Sequence, residues 1–141
     1  MMGGGYTSIV GYTTGVFDLF HIGHLNILRR AKERCDILIV GVSTDENVMS
    51  YKNKKPVYPF YERIRIVKSV RYVDYVTAQS DMDKFKAWKS LNYDVMFHGT
   101  DWQNSSMYNE IEKKLMTVGV EVEYLPHTDG ISSTTLRERI T

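Results

Sequence analysis

Two histidines, His21 and His24, stand three residues apart in the stretch Gly15-Val16-Phe17-Asp18-Leu19-Phe20-His21-Ile22-Gly23-His24. A β-branched run over 8–13 precedes the stretch and reads as a strand, and residues 25–32 read as a helix. Residues three apart at a helix start lie on one side of its first turn. Gly23 between them leaves room for a ligand against the backbone, and the free N–H groups and positive dipole end at that point favour a phosphate. Two imidazoles aimed at an anion beside those amides are equipment for phosphoryl chemistry. The competing readings are a simple helix cap and a zinc site. Two close ligands with no Cys or carboxylate cluster nearby fall short of the zinc site.

Strand and helix patterns alternate along the rest of the chain, and they must position these groups. The apolar run over 36–43 is typical of a parallel strand buried on both faces. A polar loop is expected over 44–59, a helix over 61–70, a strand over 72–76, a helix over 82–91 and a strand over 94–97. A helix over 105–118 ended by Gly119, a strand over 121–125 and a helix over 134–140 complete the pattern. The expected fold is α/β: a Rossmann-like, doubly wound parallel sheet of about five strands in a single domain, 1–141, with ligands at the carboxyl ends of the strands. At 141 residues and a net charge of +1, the chain offers no general basic surface for nucleic acid. No apolar run is long enough to span a membrane, and the opening Met1-Met2-Gly3-Gly4-Gly5 does not read as a signal peptide, so a cytoplasmic location is expected. The single cysteine, Cys35, has no partner for an internal disulfide and reads as a packed thiol.

Three further groups fall where the site is expected. Lys52, Lys54 and Lys55 lie in the polar loop after the second strand, as a solvated face or as a mobile cationic arm that closes over phosphates. Phe97-His98-Gly99-Thr100-Asp101-Trp102 ends a strand in a Gly turn, where Asp101 and backbone groups could read the edge of a nucleobase. His127-Thr128-Asp129-Gly130-Ile131-Ser132-Ser133-Thr134-Thr135 puts a Gly and hydroxyl residues at a helix start. It serves as a cap, or as a set of N–H and O–H donors for phosphates.

Gly15, Phe17, Asp18, His21, Gly23 and His24 meet every fixed position of the GxFDxxHxGH signature, and the chain resembles the cytidylyltransferases of the nucleotidyltransferase superfamily. The 127–135 segment is similar to the family's RTxGISTT signature, with His127 in place of its arginine. By pattern the chain stands nearest the glycerol-3-phosphate cytidylyltransferases, which carry Lys-x-Lys, Arg-Tyr-Val-Asp and Asp-Trp strings at corresponding places. The resemblance implies transfer of CMP from CTP to a small phosphomonoester, glycerol 3-phosphate first, giving CDP-glycerol and pyrophosphate for cell-wall or capsule polymers. It makes His21, His24 and Lys54 the catalytic groups. Nucleotide contacts would come from Gly15, Val16, Phe17, Asp18, Gly23, Asp101, Trp102, His127, Gly130, Ile131, Ser132, Ser133 and Thr134. Lys52, Arg63, Arg71 and Lys84 would meet the acceptor. Mg2+ is expected with the CTP, no dedicated metal site is expected, and the family resemblance implies a homodimer. Because a histidine replaces the family arginine at 127, a cytidylyl- or adenylyltransferase for another phosphomonoester, such as phosphoethanolamine or a sugar phosphate, stays open. A catalytically silent nucleotide-binding module stays open as well.

Overall fold

A computed structural model of the protein describes residues 8–126. Strand β1 (Val10–Gly15) leads to helix α1 (Ile22–Lys32), β2 (Ile37–Ser43), α2 (Asp45–Lys52), α3 (Phe60–Lys68) and β3 (Tyr75–Gln79). Then follow α4 (Lys84–Leu91), β4 (Val95–Gly99), a 3-10 turn (Thr100–Trp102), α5 (Ser106–Met116) and β5 (Glu121–Leu125). The five strands form one parallel sheet in the order β3-β2-β1-β4-β5. The chain therefore winds outward from β1 in one direction and then, from β4, in the other. The expected doubly wound fold is observed.

Alternation along the strands sends side chains to two cores. Leu38, Val40 and Val42 of β2 join Phe17, Leu28, Ala31, Val67 and Phe97 on the face covered by α1 and α3. Tyr12 of β1 and Met96 of β4 join Tyr93, Tyr108 and Leu115 on the face covered by α4 and α5. Removing each such large side chain from water contributes roughly 1.5–3 kcal/mol, so both faces of the central strands anchor the frame. Cys35 is half-buried, and its thiol donates to the carbonyl of Ala31 at 3.4 Å. Burial pushes its pKa up to about 11, which suits a packed, unreactive thiol.

Two expected elements need correction. Residues 45–52 are helix α2 rather than loop: the Thr44 hydroxyl accepts from Asn47 N, Asp45 and Glu46 fill the first turn, and Asn53 ends the helix in the left-handed region at φ 53°. The strand expected over 72–76 begins later, at Tyr75. Asp74 takes the amide of Leu38 on its carboxylate and donates its own amide to the Leu38 carbonyl, so pairing with β2 starts only after it. The helix expected over 134–140 lies outside the described residues.

Candidate active site

The two windings of the sheet diverge between β1 and β4, and the turns that leave the carboxyl ends of those two strands meet at that crevice. The β1–α1 turn is strained: Phe17 and Leu19, neither of them glycine, sit at φ 55° and 48°. Three contacts hold it there. Phe17 is packed into the core. The buried Asp18 carboxylate accepts the backbone amides of Val57 (2.7 Å) and Tyr58 (2.9 Å). The Arg63 guanidinium donates to the carbonyl of Val16 at 2.8 Å. Gly15 is required by the same packing, since a Cβ there would lie 2.9 Å from the Phe17 ring.

That turn delivers the histidine pair to the start of α1. The His21 Nδ1 accepts from Gly23 N at 3.0 Å, and the His24 Nδ1 accepts from His21 N at 3.2 Å. Backbone amides can only donate, so both Nδ1 atoms are unprotonated and each neutral ring carries its proton on Nε2. The rings stack with centroids 3.9 Å apart, and His24 is further packed by Phe17 and Phe20 at 5.5 and 5.2 Å. Burial, followed by the neighbouring His21, holds the pKa of His24 down at about 3, and burial also lowers that of His21. The pair is a fixed, neutral, two-donor device at neutral pH.

The remaining expected groups divide clearly. Lys52 ends α2, and its charge is among those that depress His24, which places it within electrostatic reach of the pair. Lys54 is exposed just beyond the Asn53 cap. Asp101 and Trp102 lie in the 3-10 turn after β4, which pairs with β1, and Trp102 packs against His98 and Tyr108. Lys84 opens α4 and is 1% exposed, and its ammonium donates to the Thr14 hydroxyl at 3.0 Å. It forms no ion pair with any described residue. Burial lowers its pKa to about 7. Beside it lies a cavity of about 200 Å3 between the end of β3 and α4. His127, Gly130, Ile131, Ser132, Ser133 and Thr134 lie outside the described residues.

Four residues expected at ligands have other places. Phe17 and Asp18 are 5% and 4% exposed, and their side chains serve the turn itself. Arg63 is wholly buried and spends its guanidinium on the carbonyls of Tyr58, Val16 and Ser43 and on the Asp45 carboxylate, at 2.7–2.9 Å. It ties together the ends of β1 and β2, the start of α2 and the following loop. Arg71 lies beyond the end of α3, next to the amino end of β3, so the length of the sheet separates it from the histidines; it is exposed and stacks its guanidinium on Tyr72. Sequence reasoning missed Asp45 and Thr14. The Thr44-Asp45-Glu46 run carried a helix-start signal that would have revealed Asp45, whereas nothing in the sequence marked Thr14.

No group of three His, Cys, Asp or Glu side chains that could hold a metal is formed among the described residues.

Comparison with known proteins agrees with this geometry. The cytidylyltransferase-like family matches residues 12–139. The glycerol-3-phosphate cytidylyltransferase of Bacillus subtilis (strain 168) is 37% identical over 91% of this chain and 94% of its own length. The FAD synthase of Thermococcus sibiricus is 36% identical, covering 82% of this chain and 78% of its own. Among solved structures, the lipopolysaccharide core biosynthesis protein of Thermoplasma volcanium superposes with a TM-score of 0.73 at 24% identity, over 86% of this chain and 98% of that one, a likeness of fold. With the strained turn, the paired imidazoles and the strand-end crevice all in the matched region, the chain belongs to the cytidylyltransferase-like family.

Proposed function

We propose that the protein transfers CMP from CTP to glycerol 3-phosphate, releasing pyrophosphate and CDP-glycerol. The observation that carries this reading is the neutral histidine pair, whose Nδ1 atoms are held by backbone amides, leaving two Nε2–H donors at the crevice. The acceptor phosphate is largely a dianion at neutral pH, because its second pKa is about 6. It needs no strong general base. An acceptor oxygen attacks the α-phosphorus, the new P–O bond forms, and the bond to the bridging oxygen breaks as pyrophosphate takes the electron pair. The demand on the protein is electrostatic and positional. His24 and His21 donate to the triphosphate where negative charge grows, His24 at the α-phosphate. Lys54 follows the departing pyrophosphate and Lys52 guides the acceptor. Lys84, a buried cation whose hydrogen-bond partner is the neutral Thr14 hydroxyl, receives the acceptor phosphate. Asp101 and Trp102 face the nucleobase, and the segment from His127 to Thr134 completes the phosphate contacts. Magnesium would accompany the CTP and neutralise part of its triphosphate charge.

The same reading includes a cytoplasmic location and a homodimer. Among the described residues no helix is long and apolar enough to cross a membrane, and sedimentation measures the dimer. The decisive assay is pyrophosphate release with magnesium, crossing CTP and ATP against glycerol 3-phosphate, phosphoethanolamine and sugar phosphates. Release confined to CTP with glycerol 3-phosphate is expected. Release with ATP, the donor that FAD synthase relatives and the His127 substitution bring into consideration, would reassign the nucleotide and keep the chemistry. CTP binding without release for any acceptor would reduce the protein to a binding module.

A further inference from the structure

The cavity of about 200 Å3 beside Lys84 has room for a compact acceptor. One end is charged: Lys84, held on Thr14. The lining also carries Asp81, Asp83 and Lys86, and its neutral polar groups are Tyr12, Thr77, Gln79, Ser80 and Ser90. Tyr12 is fixed there with unusual care. Its ring stacks on Tyr93 with centroids 4.8 Å apart and an interplanar angle of 20°. Its hydroxyl crosses the neighbouring strand above Gly41, where a Cβ would approach it to 2.6 Å. Gly41 pairs with Thr77, so the phenol reaches the strand that lines the cavity. A glycine inside a buried strand weakens that strand, and a close approach of this kind is what such a glycine commonly accommodates.

We infer that Tyr12 is a specificity-determining residue: its phenol hydroxyl binds a hydroxyl group on the acceptor, so the cavity selects polyol phosphates over phosphomonoesters with alkyl or ammonium tails. This rests on the acceptor reading given for Lys84. Both carboxylates of the lining are already engaged: Asp81 accepts from Asp83 N and Lys86 Nζ, and Asp83 accepts from Lys86 N. Tyr12 is the one aromatic side chain in the lining, which gives no aromatic cage for a cation. A neutral tail bearing hydroxyls matches what remains.

The test is calorimetric titration of the whole protein, without nucleotide, using glycerol 3-phosphate, propyl phosphate and phosphoethanolamine. The wild type should bind glycerol 3-phosphate about tenfold more tightly than propyl phosphate, the worth of one good hydrogen bond. Tyr12→Phe should remove that preference while leaving propyl phosphate binding and the melting temperature unchanged. Gly41→Ala, which drives a methyl into the hydroxyl, should remove it by an independent route. Equal affinities in the wild type, an unchanged preference in Tyr12→Phe, tighter binding of phosphoethanolamine, or no heat with glycerol 3-phosphate would each overturn the inference. The expected binding pattern without pyrophosphate release would keep the subsite and remove the transferase reading. Release with an unaltered Tyr12→Phe preference would do the reverse.

Discussion

His24 does two separable jobs through its two nitrogens, and paired substitutions divide them. Nδ1 accepts from His21 N and helps close the start of α1. Nε2 carries the proton that would meet the α-phosphate. In His24→Asn the side-chain oxygen falls near the place of Nδ1, so the cap survives and the outer donor is lost. In His24→Gln the amide nitrogen reaches toward Nε2, so a donor survives and the cap is lost. Loss of a helix-start acceptor costs about 1 kcal/mol, whereas loss of one preorganised donor to a developing charge costs roughly 10²- to 10³-fold in turnover, or about 3–4 kcal/mol of barrier. Asn should therefore melt within about 3 °C of the wild type and turn over at least 10²-fold more slowly. Gln should melt lower and retain more activity than Asn. Pyrophosphate release at saturating CTP, read beside a thermal melt, gives both quantities. Near-normal turnover in Asn, or an activity order that simply follows the melting temperatures, would refute the donor role and leave His24 as a cap.

Other consequences follow from the buried groups. His24 predicts acid lability: its folded pKa of about 3 lies below the unfolded 6.5, so stability present above pH 6.5 is lost as pH falls toward 3, measurable by melts across that range. Arg63→Met leaves three carbonyls and the Asp45 carboxylate without their donor and should cost about 3–5 kcal/mol in a denaturant titration. A loss below 1 kcal/mol would deny it the tying role. Asp18→Asn should loosen the loop at Val57 and Tyr58, seen as faster amide exchange at those two residues, with activity falling alongside.

The fold was legible because its elements obey simple periods: the apolar run over 36–43 and the alternation over 121–125 appear as β2 and β5. The histidine turn was legible because its glycines and spacing carry the chemistry locally. What could not be read was the partnership of charged residues. Arg63 and Asp18 look like ligand residues in a sequence because they are charged and near the motif. Their hydrogen bonds span 20 to 47 positions of sequence in several cases, and no local pattern encodes that. Arg71 shows the same limit differently: eight residues after Arg63, it lies past the far end of a helix that carries the chain from the carboxyl to the amino side of the sheet. Tyr12 was hidden as a core aromatic until Gly41 showed what its hydroxyl occupies.

Arg63 and Lys84 are both fully buried cations near the carboxyl ends of the strands, and their surroundings assign them opposite roles. Arg63 has a carboxylate and three carbonyls as partners, so its charge is answered inside the protein. Lys84 has the Thr14 hydroxyl. Its pKa, lowered by burial to about 7, corresponds to about 5 kcal/mol lost to the charged form. Burial outweighs the favourable charge of Asp81 at Lys84, and replacing such a buried charge by an apolar side chain of similar length is stabilising, so Lys84→Met should melt higher than the wild type at pH 6 while its KM for the acceptor rises steeply. The sign of the pH dependence checks the cause. Between about pH 7 and 10.5 the unfolded chain holds a proton on Lys84 that the folded protein has given up, so wild-type stability rises with pH across that window. The advantage of Met should shrink over the same interval and vanish above it. A Met variant that melts lower at pH 6, or an advantage that does not change with pH, would mean that the ammonium is already satisfied in the free protein and is not waiting for a phosphate.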